Sequence, residues 1–470
     1  MGDRNQEDGG VTMQEFRVNA HRVADWMADY LDNPEKYPVL SKVKPGELID
    51  ALPAQGPESG EPMDAILADF ERQIVPAITH WNHPGFMAYF ATSASGPGVL
   101  GEMLTAALNA NGMLWRTSPA VTELEHVTLA WLRQWIGLPD IFFGIIYDTA
   151  SVSSMHAIAA ARELASPDFR ETGAAPGLTL YCSEQAHSSI EKSAIAIGIG
   201  QRNIRKIGVD AEFRMIPELL EQAIAADLGA GKRPFCVVAT VGTTSTTSVD
   251  PVPATAEIAR RHNLWLHVDA AYGGAAAIVP EYRHFLAGAE HADSLVVNPH
   301  KWLFTPVDLS VLYTRRPDIL RRAFSLTPEY LRTAENPRAV NLMDYGVPLG
   351  RRFRALKLWF VLRYYGRDGI VRIIRDHIRW AQELARQIAS DERFEVCAPT
   401  PMSAVCFRLR GTDEENRTLL DRVNATGEAF LSHTVLNGRF VIRLAIGNIG
   451  TTREHVQRAW KIVAQSIYKR

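Results

Sequence analysis

LWLHVDAAYGG, residues 264–274, and SLVVNPHKW, residues 294–302, are the two segments that indicate the fold of this chain most clearly. Each begins with a continuous apolar run, which is typical of a strand that helices cover on both faces of a sheet. The runs end in polar residues, Asp269 in the first and Asn298 in the second. Ligands of open α/β sheets bind at the carboxyl ends of strands, so each segment predicts a strand followed by a binding site.

Similar apolar runs extend this pattern along the middle of the chain. We predict further strands at LTLYC (178–182), FCVVAT (235–240) and LSVLYT (309–314). Because helical segments alternate with these runs, the chain from about residue 95 predicts a mostly parallel α/β sheet.

The two ends of the chain have different patterns. Apolar residues recur at helical spacing in 16–31 and 63–74, and these two helices have no core of their own. They must therefore lie against a larger body or a partner subunit. A long helical stretch at 351–388 is followed by the strand-like RFEVCAP and AVCFRLRG, a helix near 416–433, FVIRLAIG and a last helix after residue 452.

These patterns predict three parts: a helical N-terminal arm (1–94), a large α/β domain (95–357) and a small C-terminal α+β domain (358–470). A chain of 470 residues is long enough for that division.

The composition excludes several classes of protein. The net charge is −3 and no Lys/Arg-rich run occurs, which gives no electrostatic reason to expect nucleic acid or an anionic membrane as a partner. We find no secretory signal pattern and no apolar stretch of membrane-spanning length. The four cysteines are scattered without metal-type spacing, which favours a reduced, cytoplasmic protein without a metal site.

Lys301 is the most informative residue, because it lies just past a predicted strand end. A lysine there can be desolvated, which lowers its pKa and frees the amine for imine chemistry. A lone lysine would more simply be a surface residue of a loop. Here Asn298, His300 and Trp302 surround it with polar and aromatic groups, which favours the chemical interpretation.

Asp269 ends a buried strand, where an isolated charge is costly unless it is paired. The protonated nitrogen of a pyridine ring would supply the partner and make that ring an electron sink. A helix cap or a salt bridge to arginine explains Asp269 equally well. Since one strand separates Asp269 from Lys301, the acid and the amine can lie at neighbouring strand ends.

Three further segments add groups that suit a phosphorylated aldehyde cofactor. Thr149, Ala150 and Ser151 precede a helical run, and a helix N-terminus binds anions, although such residues also cap ordinary helices. His187, in SEQAHSSIEKS, can stack on a flat ring or be a structural histidine. The hydroxyl-rich ATVGTTSTTSVDP (239–251) can line a polar site or form a simple turn.

The chain resembles the group II pyridoxal-phosphate decarboxylases, specifically the aromatic L-amino-acid decarboxylases. The resemblance rests on QAHSSIEKS, TVGTTSTTSVDP, HVDAAYGG, NPHKW, PLGRRFRALKLWFVLRYYG, THWNHPGFMAYF and SPAVTELE, and covers about residues 13–466. It implies the type I, aspartate-aminotransferase-like fold with a mostly parallel sheet of the seven-stranded kind. It also implies an intertwined homodimer with the active site at the subunit interface.

The resemblance further implies roles for individual residues around pyridoxal 5'-phosphate. Lys301 would form the imine, Asp269 would bind the ring nitrogen, and His187 and Ala271 would lie on opposite ring faces. Thr244 would lie near the phenolic oxygen. The residues around the phosphate would be Thr149, Ala150, Ser151, Asn298 and His300.

The segment SLTPEYLRT resembles the family's mobile catalytic loop, which makes Tyr330 the expected proton donor to the quinonoid carbanion left by loss of CO2. Without the resemblance, Tyr330 would be an ordinary loop tyrosine. Relatives that form aldehydes tend to replace this tyrosine or the stacking histidine. Since Tyr330 and His187 are both present, we expect an amine product.

The resemblance also predicts the substrate pocket. Its expected lining is Trp81, Tyr89, Phe90, Thr92, Asn111, Met113, His187 and Gly350. Trp81, Tyr89 and Phe90 could instead be aromatic residues of the core. Gly350 leaves room for an indole without excluding a phenol. Asn111 and Met113 depart from the family, where an apolar residue and phenylalanine are common. Asp148, beside the predicted phosphate site, departs as well and should repel phosphate unless it is paired.

The expected reaction is decarboxylation of aromatic L-amino acids, of the tryptophan, tyrosine, phenylalanine, dopa or 5-hydroxytryptophan type, to arylalkylamines. The alternatives are an aromatic aldehyde synthase, another group II decarboxylase and, more distantly, a catalytically silent dimeric scaffold.

Overall fold

The computed structural model describes residues 11–326 and 339–467 of the chain. The α-helices are α1 Met13–Asp32, α2 Glu47–Ala51, α3 Met63–Asp69, α4 Gly96–Leu108, α5 Pro119–Ile136, α6 Ala150–Ala165, α7 Phe169–Thr172, α8 Ser188–Ala196, α9 Pro217–Gly229, α10 Val252–Arg261, α11 Pro299–Trp302, α12 Pro317–Phe324, α13 Arg354–Ala389, α14 Asp413–Ala425 and α15 Arg453–Ser466. The strands are β1 Phe143–Tyr147, β2 Leu178–Ser183, β3 Ile204–Ile207, β4 Arg233–Thr240, β5 Trp265–Asp269, β6 Ser294–Val297, β7 Ser310–Thr314, β8 Phe394–Val396, β9 Ala404–Leu409, β10 Ser432–Leu436 and β11 Arg439–Ala445.

Seven strands form the central sheet in the order β1-β7-β6-β5-β4-β2-β3. Strand β7 runs antiparallel to both of its neighbours, and the remaining pairs are parallel. All five predicted strands of this region are confirmed, whereas β1 and β3 were not predicted. The sheet is therefore mostly parallel, as expected, with one reversed strand.

Apolar side chains on the two faces of this sheet belong to different clusters of the core. In β4, Val237 and Ala239 pack on one side, while Cys236 and Val238 pack on the other. Strand residues point alternately to opposite faces, so both faces are covered by other elements. This explains why the sequence of β4 is a continuous apolar run from Phe235 to Ala239.

The smaller sheet is antiparallel, with the order β10-β11-β9-β8. The sequence predicted a helix near 416–433, and this is wrong at its C-terminal end. Helix α14 ends at Ala425, Gly427 has a φ of 76°, and β10 begins at Ser432. A glycine at positive φ commonly terminates a helix, and it allows the chain to turn into a strand.

The predicted long helix at 351–388 corresponds to α13, which is interrupted at Gly366, where φ is 60°. An L-residue other than glycine rarely adopts this conformation, which accounts for the sharp change of direction there. Proline residues in the first turns of α4, α5 and α9 are suited to positions that need no backbone N–H.

The described residues divide into two compact units. One unit contains residues 11–86, Leu419–Phe430 and 450–467, and the other contains Met87–Thr418 and Leu431–Ile449, apart from the gap at 327–338. The second unit carries both sheets. The three-part domain division made from the sequence stays a prediction. In the parts of the chain that the structure describes, no helix has the length and apolar character needed to cross a membrane.

Candidate active site

Asp269 and Lys301 follow neighbouring strands that run in the same direction. Strand β5 ends at Asp269, which lies opposite Val296 of β6 in the parallel register. Lys301 lies on the short helix α11, which begins two residues after the end of β6. Because parallel strands present their carboxyl ends at one edge of the sheet, the acid and the amine lie in the same region.

The amine of Lys301 is in an environment that disfavours its charge. Burial lowers the pKa of Lys301, the carboxylate of Asp269 opposes this effect, and the guanidinium of Arg443 adds to it. The Nζ atom lies 5.5 Å from the centroid of the Phe90 ring. A lysine with a lowered pKa is more often neutral and is therefore a better nucleophile.

The carboxylate of Asp269 is 5% exposed and has an incomplete set of partners. Its Oδ1 accepts a hydrogen bond of 3.1 Å from the backbone N–H of Ala271. In the described part of the chain this carboxylate forms no ion pair, although Lys301 is close enough to interact with it electrostatically. A buried carboxylate with room for a cationic donor fits the protonated ring nitrogen of a pyridine cofactor.

His187 is held at the N-terminus of α8, directly after β2. Its Nδ1 accepts a hydrogen bond of 3.1 Å from the backbone N–H of Ser189 and lies 2.8 Å from the Ser189 hydroxyl. Burial lowers the pKa of His187, Lys301 lowers it further, and Asp269 opposes both. These mutual effects show that the structure brings His187, Lys301 and Asp269 together.

The predicted phosphate site begins at the N-terminus of α6. Thr149 precedes the helix in extended conformation, and its side chain makes no capping hydrogen bond, while Ala150 and Ser151 form the first turn. The backbone N–H groups of a first helical turn lack helical acceptors and attract anions. The hydroxyls of Thr149 and Ser151 and these N–H groups suit a phosphate.

Asp148, which sequence reasoning left unexplained, has partners in the structure. Its Oδ1 accepts a hydrogen bond of 2.6 Å from the backbone N–H of Thr149. Burial disfavours the charged form of Arg354, but the hydrogen bonds that its guanidinium donates to Asp308, with the negative charges of Asp308 and Asp148, raise its pKa overall. The negative charge beside the predicted phosphate site is therefore partly balanced by Arg354.

Asn298 and His300 are buried between Lys301 and β7. The Nδ1 of His300 accepts a hydrogen bond of 2.9 Å from the backbone N–H of Leu309. Burial, with a smaller effect of Lys301, lowers the pKa of His300 to about 3, so the ring is neutral at pH 7. The Asn298 Nδ2 lies 3.3 Å from His300 Nε2, and its Oδ1 has no hydrogen-bond partner among the described residues. An unsatisfied buried amide oxygen is rare in native proteins and suggests that a ligand completes this region.

Two other predicted cofactor residues lie on loops after strands. Ala271 is 7% exposed and follows Asp269 by two residues. Thr244 is exposed, on the turn that follows β4. Their contacts with a cofactor stay a prediction.

On the predicted substrate side, the ring of Phe90 lies near the amine of Lys301. Its ring is stacked on Tyr272, with centroids 3.7 Å apart, so Phe90 belongs to the core and also faces Lys301. Tyr89 is half exposed and has a φ of 50°, a conformation that is uncommon for a residue with a side chain. Thr92 is partly buried.

Trp81 and Met113 each pack against other apolar side chains. Trp81 belongs to the first compact unit, where its ring stacks on Phe86 with centroids 4.2 Å apart. Met113 packs beside Leu114 and Met343. Tyr330, the predicted proton donor, lies outside the described residues.

Asn111 and Gly350 lie beside each other. Asn111 Oδ1 accepts a hydrogen bond of 2.9 Å from the backbone N–H of Arg351, and Gly112 donates one of 2.8 Å to the Arg351 carbonyl. A Cβ atom added at Gly350 would meet Asn111 Nδ2 at 3.8 Å, an ordinary contact. Asn111 Oδ1 is thus engaged within the chain, and its Nδ2 faces Gly350.

Sequence reasoning missed two residues of this region. Arg443 of β11 donates a hydrogen bond of 3.0 Å to the Ser245 carbonyl and another to the Tyr89 carbonyl, and its guanidinium carbon lies 4.5 Å from the centroid of the Phe90 ring. Glu125 forms a buried ion pair of 2.9 Å with Arg351. Arg443 could have been found from the sequence, because it interrupts the apolar run FVIRLAIG and a buried arginine is rare without a specific role.

Comparisons with known proteins agree with this geometry. Residues 45–410 match the family model described as the pyridoxal-dependent decarboxylase conserved domain. Tyrosine decarboxylase 2 of Narcissus pseudonarcissus is 41% identical, over 96% of this chain and 93% of the relative. A phenylacetaldehyde synthase of Arabidopsis thaliana is also 41% identical, over 96% of each chain.

The crystal structure of Oryza sativa TDC with PLP and tryptamine superposes with a TM-score of 0.93 at 38% identity, covering 97% of this chain and 98% of that one. The predicted type I fold is confirmed by this similarity. The relatives include both aromatic amino-acid decarboxylases and aldehyde synthases, so the chain acts in one of these two closely related chemistries. It is a carboxy-lyase that depends on pyridoxal 5'-phosphate, and it belongs to the family of pyridoxal-dependent decarboxylases.

Proposed function

We propose that this chain converts aromatic L-amino acids to arylalkylamines and CO2. The observation that carries the proposal is the desolvated amine of Lys301, which lies beside the carboxylate of Asp269 and faces the ring of Phe90. The amine suits covalent attachment of an aldehyde cofactor, the acid suits its ring nitrogen, and the aromatic face suits an aromatic substrate.

Pyridoxal 5'-phosphate, when bound, supplies an electron sink for the pair of electrons released from the substrate's α carbon. Lys301 would hold the aldehyde through its amine and would be displaced from it by the amine of the substrate. The Asp269 carboxylate would keep the ring nitrogen protonated. His187 and Ala271 would lie against opposite faces of the ring. The residues that would bind the phosphate are Thr149, Ala150, Ser151, Asn298 and His300, and Thr244 would lie near the phenolic oxygen.

The amine product depends on protonation of the α carbon after CO2 has left. We assign this proton transfer to the phenol of Tyr330, with His187 retained on the ring. An aldehyde product is the second candidate, because a phenylacetaldehyde synthase is as similar to this chain as a tyrosine decarboxylase is.

We propose that the side chain of the substrate lies among Trp81, Tyr89, Phe90, Thr92, Asn111, Met113, His187 and Gly350. The structure of Oryza sativa TDC contains tryptamine, and the Narcissus relative is named a tyrosine decarboxylase. Both an indole and a phenol are therefore candidates for the preferred ring. The Asn111 Nδ2 beside Gly350 offers a donor to a ring hydroxyl.

We further propose that the working form is a homodimer. Helix α1 buries none of its residues within one chain, and its Met13 and Phe16 are more than half exposed. Helix α4 exposes Leu100 and Leu108. Apolar side chains on unpartnered helix faces indicate a surface that another chain covers. Sedimentation of the purified protein should give twice the mass of one chain.

The four cysteines are free, which is consistent with our proposal of a cytoplasmic enzyme.

Product analysis tests the proposed activity directly. The purified holoenzyme is incubated with tryptophan, tyrosine, phenylalanine, dopa and 5-hydroxytryptophan, with glutamate and histidine as non-aromatic and heteroaromatic controls. We expect CO2 and the arylalkylamine in equal amounts, without peroxide. Stoichiometric aldehyde, ammonia and peroxide would assign the chain to the aldehyde synthases. No product from any substrate, with no yellow cofactor-loaded protein, would favour the silent scaffold.

A further inference from the structure

Four buried rings form a continuous column beside Lys301. Phe90 stacks on Tyr272 with centroids 3.7 Å apart and planes 14° from parallel. Tyr272 stacks on Trp302 at 4.5 Å and 3°, and Trp302 lies 6.4 Å from the His377 ring at 9°. All four side chains are less than 8% exposed. The column therefore joins the predicted substrate wall at Phe90 to the helix that carries the lysine.

Each end of the column is fixed by a polar group. At one end, the guanidinium of Arg443 lies over Phe90. At the other end, the indole Nε1 of Trp302 donates a hydrogen bond of 3.0 Å to Nδ1 of His377, on α13. In the middle, the hydroxyls of Tyr272 and Ser403 are hydrogen-bonded. The orientation of every ring except Phe90 is thus set by a hydrogen bond as well as by packing.

The protonation of His377 follows from its partner. An indole nitrogen can only donate, so Nδ1 of His377 must be unprotonated, and the proton of the neutral ring is on Nε2. Burial lowers the pKa of His377 to about 3. The imidazole is therefore a constant hydrogen-bond acceptor throughout the pH range in which such enzymes work.

The helix that carries Lys301 cannot fix the position of the amine without such support. Helix α11 has four residues, Pro299–Trp302, and so short a helix is not stable by itself. Trp302 is fully buried and directly follows Lys301 in the chain. The position of the Trp302 ring therefore constrains the backbone of this single helical turn and, with it, the place from which the Lys301 side chain extends.

We propose that His377 is a positioning residue for Lys301: its hydrogen bond to Trp302 sets the orientation of α11 and with it the location of the reactive amine. The inference rests on the assignment of Lys301 under the proposed function. His377 would act through its hydrogen bond to Trp302 and not on the substrate or cofactor directly.

Three variants of the holoenzyme test the inference. His377→Leu removes the acceptor, and His377→Asn keeps an acceptor atom at the equivalent position of the side chain. His156→Leu is the matched control, because His156 is also fully buried, is stacked on another ring, Tyr147, and has a pKa that burial lowers to about 4. Its contacts lie outside the column.

We expect His377→Leu to lower kcat about tenfold to a hundredfold, because small displacements of a reacting group have large effects on rate. The KM should change less than about twofold, since the substrate wall is intact. His377→Asn should recover kcat to within about threefold of the wild type, whereas His156→Leu should lower the melting temperature without this loss of kcat.

Equal kcat values for His377→Leu and His377→Asn, or equal losses of kcat in His377→Leu and His156→Leu, would overturn the inference. If His377→Leu does not fold, Trp302→Phe tests the same hydrogen bond, because it keeps an aromatic ring in the column and removes the indole donor. Failure of the proposed function has a different outcome: borohydride reduction of the wild-type protein would then leave no cofactor on Lys301.

Discussion

Replacing Asp269 with asparagine removes the negative charge of this carboxylate and so measures its effect on cofactor binding. The asparagine side chain has the same shape and keeps an oxygen for the N–H of Ala271, which donates to Asp269 at 3.1 Å. A hydrogen bond to a charged group contributes about 1.5–3 kcal/mol. Since 1.4 kcal/mol corresponds to a factor of ten, the affinity for pyridoxal 5'-phosphate should fall roughly 10- to 150-fold. Turnover at saturating cofactor should fall further, because an uncharged ring nitrogen is a weaker electron sink.

The assay is a titration of the apoprotein with the cofactor, followed by the quenching of tryptophan fluorescence, with turnover measured separately. Asp250→Asn is the matched control. Asp250 is also buried at the end of the sheet, and each of its oxygens accepts a backbone hydrogen bond of 2.8 Å, from Met215 and from Thr240. Asp250 is 1% exposed and Asp269 5%, so the two carboxyl groups are of comparable burial.

We expect Asp250→Asn to change stability and to leave the affinity for the cofactor within about twofold of the wild type. The reasoning would be refuted by unchanged cofactor affinity in Asp269→Asn. It would be refuted equally by the same loss of affinity in both variants, which would indicate a general effect of removing a buried charge.

The remaining predictions concern product, stability and acid sensitivity. Tyr330→Phe should divert product from amine to aldehyde, peroxide and ammonia, and unchanged amine output would remove the assigned role of Tyr330. Glu125→Gln should lower the free energy of unfolding in a denaturant titration by about 3 kcal/mol, because it breaks the buried ion pair with Arg351, and a change below about 1 kcal/mol would contradict this. Five imidazoles among the described residues have pKa values that burial lowers to about 3 or 4, so the unfolded state binds more protons between about pH 6.5 and 4. Stability should therefore fall as the pH is lowered through that range, by up to about 1.4 kcal/mol per pH unit for each ring, and a flat profile in melting experiments would contradict it. These imidazoles are His83, His156, His267, His300 and His377.

The sequence predicted those elements whose pattern is local. The five apolar runs from 178 to 314 were recognisable because both faces of each strand are buried. Strand β1, FGIIY, contains a glycine, and β3, IRKI, has two charged residues, so neither has a clear strand pattern. The antiparallel direction of β7 depends on how the connection through residues 303–309 runs. The residues of the strand itself do not indicate whether it is parallel or antiparallel to its neighbours.

The candidate site was predictable in the same way. Lys301, Asp269 and His187 each follow a strand, so their positions could be inferred from the order of strands and loops. The contacts of Arg443 with Tyr89 and of His377 with Trp302 join residues that are far apart in the chain. No spacing in the sequence predicts such pairs, because they depend on how the small sheet and α13 pack around the site.

The most direct test of the central claim is to locate the covalently held cofactor. The holoenzyme is reduced with borohydride, digested, and its peptides are mapped by mass spectrometry. We predict a single modified peptide with the reduced cofactor on Lys301 of NPHKW, and none in Lys301→Ala. Modification of another lysine, or full turnover by Lys301→Ala, would contradict the account.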